Sequence, residues 1–564
     1  MITEIADAVW TNGVIFTADA GDHFAEAVAI KDGIIIFVGS AEAVQSYIDE
    51  STNLVDLEGS MILPGMTDAH IHAPGTILTR LYQIDLNGIK TEAATIETIA
   101  SFVAEHPTLE IYYGSGFSVG AFSGEEVAKG PRKERLDAIS NKPIMILSYD
   151  CHSCWLNSAA FDYFGITKNT LSPAGGLIEK TAAGDLWGTL KEAAIGLVPS
   201  QEFNGEQLRA AYMAFQEYMH SLGYVGITDM GSGILAAESA DPFAEMDRNG
   251  ELKLYVMKNT IMDPNTDLEP QIKKAIANRE AHQSELYCYG SCKFFADGVI
   301  EGVTAYLLSP YAEAAVAGDG FVSAPLWTPE QMKAAFTRVN AEGFQIHVHS
   351  IGDASTRQVL DAYEYALEKN GEGDYRNLIT HLQLVDPEDI PRFAQLGVIA
   401  NLQLYWAFKE PHWWEVVDQP LLGDQRAEWQ YPAQSLINAG ALLVSSSDHS
   451  VTPYPNPFWA IEVGVTRNLN NADYYEVDDI TDIDDPTWLL APQERVSLID
   501  MIRSFTINSA FQNFREDQTG SIEIGKSADF IIISQNLFEI DPLCIDKTKV
   551  LTTIFKGEVV WQAE

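Results

Sequence analysis

The stretch Ile62-Leu63-Pro64-Gly65-Met66-Thr67-Asp68-Ala69-His70-Ile71-His72 decides the fold. Apolar residues lead into a Pro-Gly pair and then into two histidines two positions apart. Successive side chains on a β-strand point to opposite faces, so residues i and i+2 share a face. His70 and His72 therefore converge on one side of a strand end. Neutral imidazole is the commonest protein metal ligand, and two on one face make half of a metal site. A plain core or surface pair would look the same in isolation, so the reading depends on the rest of the chain.

Downstream of the pair lies a series of apolar strand candidates separated by helix-like stretches. They lie at 224–229, 252–257, 292–297, 344–349, 378–382, 398–402 and 442–448, and the strand at 68–72 brings them to eight. Alternating strands and helices argue for a parallel sheet, and eight such units predict a (β/α)8 TIM barrel, class α/β, with its active site at the C-terminal strand ends. His70, His72, Lys293, His349, His381 and Asp448 sit at or near those ends. Between the first two strands lies far more chain than one helix needs, with Gly-rich segments at 113–117 and 173–176. This predicts an inserted subdomain over about 76–220, covering the barrel mouth.

The ends of the chain read differently. Ala8-Val9-Trp10-Thr11-Asn12-Gly13-Val14-Ile15-Phe16-Thr17 gives a strand, a turn and a second strand. Residues 26–39 give a hairpin around Asp32-Gly33. Short β stretches return at 520–533 and 550–561. Both termini are expected to build one small β-sandwich, residues 1–65 and 511–564, flanking a barrel over 66–510.

Composition bounds the function. The chain has 564 residues, 46% hydrophobic and 20% charged, which predicts a large folded core. Lys+Arg is 35 and Asp+Glu is 80, a net charge of −45. Such a surface repels nucleic acid and anionic membranes. Five cysteines (Cys151, Cys154, Cys288, Cys292, Cys544) do not make a disulfide framework. There is no basic n-region with an apolar core at the start, and no apolar run reaches the ~18 residues of a membrane span. The expectation is a soluble cytoplasmic protein with a small-molecule substrate.

A catalytic divalent metal takes nitrogen and oxygen ligands and keeps one position for water. Two metals need an anionic bridge. A neutral lysine becomes one by taking up carbon dioxide as a carbamate, and Lys293 lies in an apolar run where burial lowers its pKa. The alternative is a buried lysine paired with Asp297 or another carboxylate.

The ordered set resembles the amidohydrolase superfamily, nearest the YtcJ-like branch (amidohydrolase family 3). The resemblance rests on Leu63-Pro64-Gly65-Met66-Thr67-Asp68-Ala69-His70-Ile71-His72, Lys293-Phe294-Phe295-Ala296-Asp297-Gly298, His349-Ser350-Ile351-Gly352-Asp353-Ala354, His381-Leu382-Gln383 and Ser447-Asp448. His152-Ser153-Cys154-Trp155-Leu156-Asn157-Ser158 and residues 520–529 support it. It implies a metal-dependent hydrolase in which His70 and His72 hold one metal and carboxylated Lys293 bridges to a second held by His349 and His381. Zinc is the expected metal, one or two per chain. Asp448 would touch the first metal, take a proton from the attacking water and pass it to the leaving amine. His152 would reach the substrate carbonyl as an electrophile. The chain departs from the family pattern at Thr380, where a Glu is common, and at Cys151, where a Gly is common. His347 is an additional histidine on the His349 face, expected below the site.

Tyr405, Trp406 and Phe408 come just after the seventh strand candidate. They are expected to line an apolar pocket, or else to pack against neighbouring structure. The acidic stretch 478–485 reads as a solvated loop. The expected reaction is hydrolysis of a non-peptide carbon–nitrogen bond, a linear amide such as an N-substituted formamide or N-acyl compound, by a homodimer. One alternative is deamination of a heterocycle, but several such deaminases carry a Glu three residues after the fifth-strand His, and Gly352 stands there. The other is a catalytically silent homologue, whose signature would be lost ligands.

Overall fold

The computed structural model describes residues 4–149, 153–173, 176–199, 201–231, 241–312, 320–411 and 413–564. Its centre is one parallel sheet of eight strands: β1 (Met66–Ile71), β2 (Tyr224–Asp229), β3 (Tyr255–Ile261), β4 (Tyr287–Phe295), β5 (Gln345–Ser350), β6 (Leu378–His381), β7 (Ile399–Leu402) and β8 (Leu443–Ser445). Neighbours in this order are paired and parallel. All eight strand candidates are present, and the (β/α)8 TIM barrel is the fold. Helices return the chain between strands, among them Leu268–Ala281 after β3, Pro329–Ala341 after β4 and Asp353–Asn370 after β5. The second of these starts on a capping box. Thr328 accepts from Gln331 N while the Gln331 side chain reaches back to Thr328 N, satisfying two donors that a helix start leaves orphaned.

The strand limits differ most from the expected ones in three places. The third strand begins at Tyr255, because the backbone at Glu251 and Lys253 is taken up by the Gln216 side chain instead of a ladder. The fourth begins at Tyr287, five residues before the apolar run that marked it. The eighth stops at Ser445 because the residues beyond bond elsewhere. Ser447 N donates to Asp68 Oδ1 at 3.0 Å and Asp448 N to the His70 carbonyl at 2.9 Å. Beyond the end of β8, these bonds join it to β1.

Two further sheets come from the ends of the chain, the first from the N-terminal segment alone and the second from both ends. One has the order 34–39, 27–31, 8–11, 53–56; the other runs 558–562, 550–555, 530–533, 61–64, 14–16, 24–25. They enclose a shared core that includes Trp10, Ile15, Ile30, Ile62, Phe530 and Ile554, with the Trp10 and Phe530 rings edge to face at 5.0 Å. The hairpin between 27–31 and 34–39 turns on Asp32 (φ 49°) and Gly33 (φ 76°), two left-handed residues as a tight two-residue turn demands. Gly65 separates the sandwich strand 61–64 from β1. A Cβ there would lie 2.6 Å from Val225 Cγ2, so only glycine lets the chain pass β2.

Contacts divide the chain into two compact units, and Pro74–Phe215 belongs to the second. That unit holds a six-stranded sheet, Gly176–Lys180, Leu186–Glu192, Ser153–Leu156, Ile144–Ser148, Tyr112–Phe117 and Ile84–Asp85 in order. Ile84, Ile99, Phe117, Leu136, Ile146 and Trp155 form its principal core. No described helix is long and apolar enough to cross a membrane.

Candidate metal centre

The C-terminal ends of β1, β4, β5 and β6 and the turn after β8 bring the candidate ligands together. His70 Nε2 and His72 Nε2 lie 3.4 and 3.2 Å from Asp448 Oδ1, and His381 Nδ1 lies 4.0 Å from Asp448 Oδ2. Lys293 Nζ is 3.5 Å from His70 Nε2. The His349 and His381 rings sit 4.5 Å apart. Ligand atoms of His70, His381 and Asp448 all fall within 4.8 Å of one another, a spacing a metal ion could bridge. Asp448 (φ 57°) and His381 (φ 79°) both hold left-handed backbone, which costs free energy in a non-glycine residue.

Each imidazole is oriented by a partner on its other nitrogen. His72 Nδ1 lies 2.6 Å from the Gly231 carbonyl and His349 Nε2 3.1 Å from the Gly298 carbonyl. A carbonyl only accepts, so those nitrogens carry the protons. His381 Nδ1 lies 2.8 Å from Gln403 Oε1, whose amide nitrogen donates to Thr380, Asn401 and Ser446, so His381 donates as well. The Thr380 that departs from the family pattern thus helps orient Gln403. In the neutral rings, His72 Nε2, His349 Nδ1 and His381 Nε2 are left with lone pairs. His72 Nε2 therefore faces the buried Asp448 Oδ1, an oxygen with no aligned hydrogen-bond donor. With His72 neutral this contact is repulsive, and a cation between the two atoms, a proton or a divalent metal, relieves it, so the donor set fits a metal.

The electrostatics agree. Burial pushes the Lys293 amine down to about 7, against the pull of Asp448. Lys293 is fully buried and no ion pair is found for it among the described residues. Asp297, the alternative partner, instead accepts from the backbone N–H groups of Ile351, Gly352 and Tyr306. Burial holds His349 down to about 4 and His70 and His381 well below the usual range. His72 alone among these rings is raised, because Asp448 outweighs its burial, and the same contact keeps the buried Asp448 ionised.

The aromatic candidates lie close to the centre. Trp406, half-buried, lies nearly parallel to the His381 ring at 6.1 Å and donates to Thr452 Oγ1. Tyr405 is buried with its hydroxyl 3.4 Å from that of Tyr224, and Phe408 is buried against Tyr475. His152, with Cys151, lies outside the described residues. Three supporting residues carried no signal strong enough to single them out. Asp68 accepts from Ser447 and His70 and is raised to about 7 by burial. Asp229 accepts from Ala73 and Gly231 on either side of the His72 contact. Gln403 orients His381. Their partners are remote in sequence, so only the folded chain reveals them.

A TIM barrel with four histidines, a buried lysine near neutrality and an aspartate at its C-terminal strand ends defines the class of metal-dependent barrel hydrolases. The chain matches the amidohydrolase family over residues 53–561 and belongs to it. It is 26% identical to the putative amidohydrolase YtcJ of Bacillus subtilis, covering 98% of this chain and 99% of that one. It is 25% identical to the N-substituted formamide deformylase of Arthrobacter pascens, covering 99% and 98%. The structure of an uncharacterised metal-dependent hydrolase from Pyrococcus furiosus shares the fold at TM-score 0.70 and 21% identity, over 95% of this chain and 99% of that one. The chain is a hydrolase acting on carbon–nitrogen bonds.

Proposed function

We propose that the chain hydrolyses a linear amide, an N-substituted formamide or an N-acyl amine, at a zinc site held by His70, His72, Lys293, His349, His381 and Asp448. The observation that carries the proposal is the convergence of Asp448 Oδ1 with His72 Nε2 beside a buried lysine. Bound metal would polarise the carbonyl and bring the pKa of water toward ~7. Asp448 accepts the proton of the attacking water on its carboxylate and delivers it to the leaving nitrogen, so the amine departs neutral.

Lys293, held near neutrality, would take up carbon dioxide through its amine lone pair and give one N–H proton to water, and the resulting carbamate would supply anionic oxygen ligands to the metal site. His152 completes the proposal as an electrophile toward the carbonyl. Trp406, with Tyr405 and Phe408 behind it, would form the apolar side of the substrate site. The relative named as a deformylase supports formamides as the first compounds to try. Against deamination, a Cβ on Gly352 would lie 2.0 Å from the Tyr306 carbonyl oxygen, so the deaminase glutamate has no place there. A homodimer in the cytoplasm belongs to the same proposal, and light scattering tests its stoichiometry.

The test is a panel of N-substituted formamides, N-acyl amines and amino-heterocycles with zinc present. Release of formate or another carboxylate is expected. Ammonia from the heterocycles, with no carboxylate from the amides, would overturn the proposal.

A further inference from the structure

His347 is a fully buried histidine that the mechanism leaves unused. It lies on β5 two residues before His349, on the same inward face, and pairs in register with Lys293 of β4. Its Nε2 is 2.7 Å from His70 Nδ1. Its Nδ1 has no hydrogen-bond partner among the described residues.

Only one proton fits between the two facing nitrogens, so two neutral arrangements exist. In the first, His347 Nε2–H donates to His70 Nδ1. His70 then carries its own proton on Nε2, facing Asp448 Oδ1 at 3.4 Å, and has no lone pair to offer. In the second, His70 Nδ1–H donates to His347 Nε2, and the His70 Nε2 lone pair turns to the site. The His347 proton then sits on Nδ1 as a buried N–H without an acceptor, a costly state. The first arrangement satisfies more groups without metal; the second is the only one that lets His70 act as a ligand.

We propose that His347 is a positioning residue that selects the tautomer of His70 and so tunes how tightly the centre holds its metal. This rests on the proposed role of His70 as a ligand. An acceptor at the His347 Nε2 position is what ligation by His70 requires, and the unpaired Nδ1–H opposes it.

Zinc affinity, measured by competition with a chromophoric chelator on full-length protein, tests this in three proteins. In His347→Gln the amide oxygen can take the Nε2 position and accept from His70 Nδ1–H, so zinc should bind within a few-fold of wild type. In His347→Leu the acceptor is gone, and affinity should fall by about 10- to 100-fold, the usual effect of removing a partner behind a metal ligand. Should the leucine variant fail to fold, His347→Met supplies an unbranched apolar side chain for the same comparison. A side chain that merely fills space would shift the melting temperature of both variants without separating their zinc affinities. Equal affinity in the apolar variant and wild type, or equal weakening in His347→Gln, would overturn the role of His347 alone. Absence of zinc binding by wild type would overturn the metal centre itself, and this role with it.

Discussion

At the residue scale the centre is a set of groups whose usual charges are suppressed by burial and whose lone pairs are aimed by second partners. Asp448 and His72 are the exceptions, each favouring the charged form of the other. Asp448→Asn should retain bound metal and lower kcat by roughly a thousandfold, the middle of the range for removing a general acid/base. Metal content and turnover on the same sample check this, and near-normal turnover would remove the proton-transfer role. Lys293→Ala should lose metal and regain part of it with formate or acetate as an external bridge; an unchanged load would refute the carbamate. The motif residues were legible because strand ends repeat along the chain in order, and each carries a side chain with recognisable chemistry. Asp68, His347 and Gln403 were not legible in their roles. Their meaning lies in contacts such as His70 with His347, which lies 277 positions away.

At the element scale the barrel strands were found by their apolar runs, but their ends were set by side chains. Gln216 takes backbone groups before β3, and Asp68 with Ser447 finishes what β8 begins. No local pattern announces such long-range bonds. Gly65 gives the sharpest test of element packing. Gly65→Ala should destabilise the chain by roughly 1–3 kcal/mol through overpacking against Val225, and Val225→Ala in the same chain should recover part of that loss. Urea unfolding of the two single variants and the double measures the coupling, and strict additivity would contradict it.

Acid stability belongs at this scale too. His220, in the helix Gly205–Ser221, is held down to about 4 by burial, while its Nε2 hydrogen-bonds the Lys253 carbonyl. An unfolded histidine titrates near ~6.5. Between these values the unfolded chain binds a proton that the native ring refuses. The stability from His220 is therefore complete above ~6.5 and is lost as pH falls toward 4, by roughly 3 kcal/mol. His220→Gln should show a shallower fall in urea midpoint over that window, and an identical slope would contradict the linkage.

At the scale of the whole molecule, the net charge of −45 sets the behaviour more than any single ion pair. Like charges repel across the surface, and raising salt from 0.1 to 1 M shortens the screening length from ~10 to ~3 Å. The thermal midpoint should rise with sodium chloride, and a flat or falling trend would show that the acidic excess is already balanced locally. The eight barrel strands were legible from apolar runs spaced by helix-like stretches, and Pro74–Phe215 falls in the second of the two compact units, where the length of chain between the first two strands had placed extra structure.

The most direct measurement is metal per chain by elemental analysis, on protein purified without chelator and assayed with and without added zinc. Roughly two equivalents of zinc or a similar divalent metal, with turnover of an amide that tracks the loading, is the expected result. No bound metal, and no turnover gained on adding zinc, would contradict the metal centre and the hydrolysis proposed for it.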